Sequence, residues 1–81
     1  MRWFCQNLHE KYELVGEYDE DLCLAMLTLS DGEQEVTLKR RNVSVDTDSV
    51  IVDDLRKSFA NHIRKASLWT SEQLELAIAR R

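Results

Sequence analysis

Proline is absent from the 81 residues, and glycine occurs only at Gly16 and Gly32. Without runs of either there is no flexible or stiff linker, no low-complexity segment and no visible internal repeat. The two glycines do not cluster, so no backbone loop is open enough to cradle a nucleotide phosphate. Cysteine also occurs twice, as Cys5 and Cys23, which is too few for a disulfide framework. No apolar run approaches the roughly 18 residues that a membrane-spanning helix requires, so no membrane partner is expected. The opening "MRWFCQNLHEKYE" meets His9 and Glu10 before the apolar centre of a signal peptide could form. An intracellular, cytoplasmic location is therefore expected, and Asn42-Val43-Ser44 is read as ordinary loop or strand rather than as a glycosylation site.

What is present belongs to a folded chain. Hydrophobic residues make up 43% and charged residues 32%, outside the range of disordered sequences. A chain this short holds a single core, so residues 1–81 are expected to form one domain. A domain of this size buries only about 60–65% of its unfolded surface, and a partner chain would add to a marginal stability. The net charge of -4 hides an asymmetry. Residues 1–38 hold two basic side chains against nine acidic ones, or -7, and residues 39–81 hold nine against six, or +3. Such polarity can orient a charged partner, or draw two copies together.

Phe4, Leu8, Tyr12 and Val15 recur at helical spacing, which predicts a short N-terminal helix before a strand from about Glu13. "LCLAMLTL", residues 22–29, fits a buried strand or a buried helix equally well. Asp31-Gly32 follows it, and "EVTLKR" then alternates; a turn pair between two such runs favours strand, turn, strand. On that reading Leu22, Leu24 and Met26 point to one face while Cys23, Ala25, Leu27 and Leu29 point to the other. From Val52 the period lengthens: Val52, Leu55, Phe59, Ile63 and Ala66 form the stripe of an amphipathic helix, preceded by capping oxygens in "DTDS". Thr70 and Gln73 stand at capping-box spacing before a last helix, with Trp69 and Leu74 placed as a hydrophobic staple. Residues Trp69 to Leu74 resemble the opening of the first helix in some Myb-like or pipsqueak-like helix-turn-helix domains, a resemblance confined to one capped helix. The expected fold class is α+β: a small antiparallel meander of about three strands over residues 13–45, with two C-terminal helices packed on one face.

Cys5 and His9 would share one face of an N-terminal helix, within reach of a zinc ion. Cys23 and His62 lack near partners of their own, so no metal or cofactor is expected and the cysteines are read as small packing residues. Nothing in the sequence supplies the orienting group and oxyanion donors of a cysteine nucleophile, and the runs Asp19-Glu20-Asp21 and Asp53-Asp54 read as solvated acids. A non-enzymatic chain is expected.

Two readings of function follow. The first is a protein-interaction module, an adaptor or inhibitor that forms a homodimer or joins another protein through Leu22, Leu24 and Met26. The second is a nucleic-acid-associated regulator that holds a polyanion with Lys39, Arg40, Arg41, Arg56, Arg64 and Lys65. An isoelectric point near 5.1 weighs against the second. Lysine and arginine at the end of a strand also discourage unwanted edge pairing without any ligand.

Overall fold

The computed structural model describes residues 1–44 and 51–79, and for Ile51 the backbone alone. Four strands, β1 (Arg2–Leu8), β2 (Tyr12–Asp19), β3 (Leu24–Ser30) and β4 (Glu35–Asn42), form one antiparallel sheet in the order β1-β2-β3-β4. Three helices follow: α1 (Ile51–Ser58), α2 (Ala60–Ser67) and α3 (Ser71–Ala79). The α+β class stands, with four strands where about three were expected and three C-terminal helices where two were.

The N-terminal helix is the principal correction: residues 2–8 form a strand paired with β2. The spacing of four that links Phe4, Leu8 and Tyr12 is a multiple of the strand period as well as close to the helical one, so it fits both. Leu8 pairs with Tyr12 across a three-residue turn in which His9 takes φ 55°. The hairpin thereby acquires a long-range tie, because His9 Nε2 donates to the Trp69 carbonyl at 3.0 Å, just ahead of α3.

The predicted strand at residues 22–29 starts two residues later, because residues 20–23 turn. Asp19 closes that turn by accepting the amides of Asp21 and Leu22 at 3.0 and 3.3 Å. The β3–β4 connection is a four-residue loop rather than a two-residue one. Ser30 pairs with Glu35, Gly32 takes φ 97°, and the Asp31 carboxylate accepts the amides of Glu33 and Gln34 at 2.9 and 2.7 Å. Those two bonds hold the Asp31 carboxyl below its ordinary pKa.

Val52 to Ala66 is helical as predicted, with a step at Phe59. The Phe59 amide still donates to Leu55 O at 3.1 Å, and the Ile63 amide to Phe59 O at 2.9 Å, so α1 and α2 run nearly as one helix. Leu55, Phe59 and Ala66 are buried and Ile63 partly so, while Val52 is exposed. The residues expected to cap α1, "DTDS", lie outside the described residues. At α3 the capping box forms in full: Thr70 N donates to Gln73 Oε1 at 2.8 Å, and Gln73 N to Thr70 Oγ1 at 3.2 Å. Trp69 and Leu74 pack into the same core, as a staple requires.

The core lies between one face of the sheet and the helices. Leu8, Tyr12, Leu14, Tyr18, Ala25, Leu27 and Leu29 meet Leu55, Phe59, Ala66, Leu74 and Ile78 there. Trp3 sits over Gly16, where a methyl group would lie 2.6 Å from the indole ring, and Phe59 packs against it with ring centroids 5.1 Å apart.

Candidate functional site

Two surfaces stand out. The first is the sheet face turned away from the helices. Strand register groups its residues into rows: Arg2, Glu17, Met26 and Arg40; then Cys5, Val15, Thr28 and Thr37; then Asn7, Glu13, Ser30 and Glu35. Val15 is 7% exposed yet stands apart from the helix-side core, as expected of a side chain enclosed by neighbours on the opposite face. Leu24, Met26, Thr28 and Ser30 are half-buried there, in contrast to Ala25, Leu27 and Leu29, which are fully buried on the other side. Among the described residues no helix covers this face.

Leu24 and Met26 therefore take the side the sequence assigns them. Leu22 does not join them: it is 66% exposed in the β2–β3 turn. Nor is the face the continuous apolar row anticipated from "LCLAMLTL", since threonine and serine continue it where β3 leaves Met26. Register brings in Val15 and Cys5 from neighbouring strands. Only the pairing could reveal them, because their apolar chain neighbours Phe4 and Leu14 point to the other face.

The second surface is a groove of about 230 Å³ between β4 and the α1–α2 helix. Lys39 and Arg41 enter it from β4, and Lys65, His62, Asn61 and Ser58 from the helical side. A bulge in β4 between the partners of Leu27 and Thr28 sets the register that turns Lys39 and Arg41 toward the helices. Phe59 forms part of the wall, and the Arg41 guanidinium stands 5.7 Å from its ring centroid, close enough for a cation–π contact. Among the described residues no carboxylate lines this groove. His62 Nε2 is buried without a hydrogen-bond partner. Burial, then Lys39 and Lys65, hold the imidazole below its ordinary pKa, so His62 is neutral at pH 7.

The basic residues singled out in the sequence are thus divided. Lys39, Arg41 and Lys65 converge, whereas Arg40 shares a row with Met26 on the opposite face of the sheet. Arg56 Nε donates to the Trp3 carbonyl at 3.3 Å, and Arg64 donates to Asn61 Oδ1 at 2.6 Å. His62, Ser58 and Asn61 join the groove through helical spacing from Lys65, a signal present in the sequence once β4 is known to lie alongside.

Cys5 lies on the uncovered face in β1 and Cys23 in a turn at φ 50°; both are exposed, contrary to their expected packing role. The Cys5–His9 helical pairing is lost with the helix. Among the described residues no three histidine, cysteine or acidic side chains come together at metal-binding distance. No helix among them is long and apolar enough to cross a membrane. The chain matches no protein-family model, no curated protein and no solved structure.

Proposed function

We propose that the chain is a non-enzymatic protein-interaction module, an adaptor or inhibitor, that self-associates through the uncovered face of its sheet. The observation that carries this reading is the one-sided architecture: the described helices pack on one face, leaving Leu24 and Met26 half-exposed on the other. A sheet face that carries apolar side chains and is left without a covering layer is a candidate interface.

The charge pattern favours a second copy as the occupant. The neutral row of Cys5, Val15, Thr28 and Thr37 separates a row holding Arg2, Glu17 and Arg40, of net charge +1, from one holding Glu13 and Glu35, of net charge -2. A two-fold axis along the neutral row lays the net-positive row of each copy over the net-negative row of the other, Arg40 over Glu35, with Glu17 opposite Glu13 as a like-charged pair that weakens the match. Four strands about 4.8 Å apart and seven residues long at about 3.3 Å each give roughly 440 Å² of projected area per copy. That lies at the weak, transient end of specific interfaces, so an exchanging dimer is expected rather than an obligate one.

Sedimentation equilibrium across a concentration series tests this. The native chain should shift from monomer to dimer between about 10 μM and 1 mM, the range such an interface supports. Met26→Asp should remain monomeric with its circular dichroism spectrum retained. A native chain that stays monomeric at the top of the range, or a Met26→Asp chain that dimerises equally, removes the self-association reading.

A further inference from the structure

We infer that the groove between β4 and the α1–α2 helix is a binding site for a phosphate monoester. The inference is independent of the uncovered sheet face. It rests on a local reversal of charge: the chain carries -4 overall, yet Lys39, Arg41 and Lys65 converge from two elements on a groove that no carboxylate of the described residues lines. Like charges drawn together raise one another's free energy, and a bound dianion relieves the repulsion.

The donors are varied in the way phosphate recognition requires. Lys39 and Lys65 supply mobile ammonium groups, while the Phe59 ring orients the planar fork of Arg41. Ser58 and Asn61 add neutral hydrogen-bonding groups at the rim. The size of the groove decides between a compact and an extended anion. A space of about 230 Å³ takes one tetrahedral group with a short stem, whereas a nucleic-acid strand would have to run on past it. Beyond the groove, the nine acidic side chains of residues 1–38 oppose such a strand. Arg40 offers it no continuation, being on the other face of the sheet.

His62 gives the site a built-in reporter. Among the described residues the charged groups lining the groove beside it are Lys39 and Arg41 from β4 and Lys65 from its own helix, all cationic. A dianion placed among them offsets their repulsion of the imidazolium, so occupancy raises the His62 pKa.

The experiment is an NMR titration of the full chain at constant ionic strength, following the His62 ring and the Lys39, Arg41 and Lys65 side chains. The probes are inorganic phosphate, free phosphoserine, a phosphoserine-containing peptide and a single-stranded oligonucleotide. Phosphate and phosphoserine should shift these signals saturably and move the His62 titration upward, leaving the His9 signal in place. Tighter binding of the peptide than of free phosphoserine identifies a phosphorylated protein as the source; equal binding identifies a small phosphorylated molecule. Losing Lys39 and Lys65 together, as K39Q/K65Q, should weaken phosphoserine at least about tenfold, the scale of one charge-assisted hydrogen bond. Lys11→Gln, the same loss of positive charge on the β1–β2 turn, should leave binding unchanged. The inference is overturned if chloride at equal ionic strength reproduces the shifts, if Lys11→Gln weakens binding as much as loss of a groove lysine, or if the oligonucleotide binds more tightly than every monoester.

Discussion

Replacing Gly16 by alanine tests how the two layers are joined. The added methyl group would lie 2.6 Å from Cε2 and Cζ2 of Trp3 and 2.7 Å from Cδ2. Non-bonded carbons settle at about 3.5–4.0 Å, so the indole must retreat by about 1 Å. It has little room to do so, because Trp3 is 2% exposed and Phe59 stands on it at a centroid distance of 5.1 Å. Overfilling a packed site of this kind costs about 1–3 kcal/mol. Against that, alanine restricts the unfolded chain and returns about 0.4–1 kcal/mol, since Gly16 needs no positive φ. Mid-range values of about 2 and 0.7 kcal/mol leave a net loss of about 1.3 kcal/mol. At about 4–8 °C per kcal/mol for a domain of this size, the melting temperature should fall by roughly 5–10 °C. Thermal melts followed by circular dichroism measure it. The decisive comparison repeats the substitution in a Trp3→Leu background, where the methyl group has space and the penalty should largely vanish, leaving a coupling of about 1 kcal/mol or more. A G16A chain that melts within 2 °C of the native one, or loses as much stability with leucine at position 3, would refute the account of the Trp3–Gly16 contact.

Thr70→Ala removes one half of the reciprocal cap on α3 and should cost about 0.5–2 kcal/mol in urea denaturation, with Gln73→Ala costing less than a further equal amount because the two bonds form one unit. Acidification should weaken the fold in two stages. His62 is held below its ordinary value of 6.5, so the unfolded chain takes up its proton first and stability declines as pH falls below 6.5, levelling once the folded chain is also protonated. Asp31 is held below 3.8, so its contribution is present above that value and is lost as pH falls through the folded pKa. Denaturation midpoints across pH 3–8 test both, and His62→Gln should remove the upper stage alone.

The parts of this fold that were legible in the sequence are those whose signals are local. The stripe from Val52 to Ala66 is longer, has steps of three at both ends and is separated by charged residues, and Thr70 with Gln73 carries its own hydrogen-bonding logic, so both appear where expected. The N-terminus was illegible for a definite reason: its apolar spacing of four satisfies both periods, and the pairing with β2 that decides between them is not local. Residues 22–29 showed their alternation but not their starting point, because the turn depends on the Asp19 carboxylate and on Cys23 accepting a left-handed backbone. The candidate surfaces were legible only in fragments. Lys39, Arg40 and Arg41 are contiguous in the chain, but strand alternation sends the middle one to the opposite face. Likewise Val15 and Met26 are neighbours on one surface only because antiparallel register makes them so.

The strictly sequential order of the strands has a consequence for how the molecule forms. Every strand pairs only with its neighbour in the chain, so each of the three hairpins closes a loop of a few residues and the sheet can zip from its turns without a distant search. The helical layer has no such local route. Its contact with the start of the chain, Phe59 upon Trp3, spans more than half the sequence and carries the larger entropic barrier. The expected order is sheet first and helices second, so Leu55→Ala should mainly accelerate unfolding while Leu27→Ala slows folding. Stopped-flow measurements giving the two substitutions the same division between the rates would reverse that order.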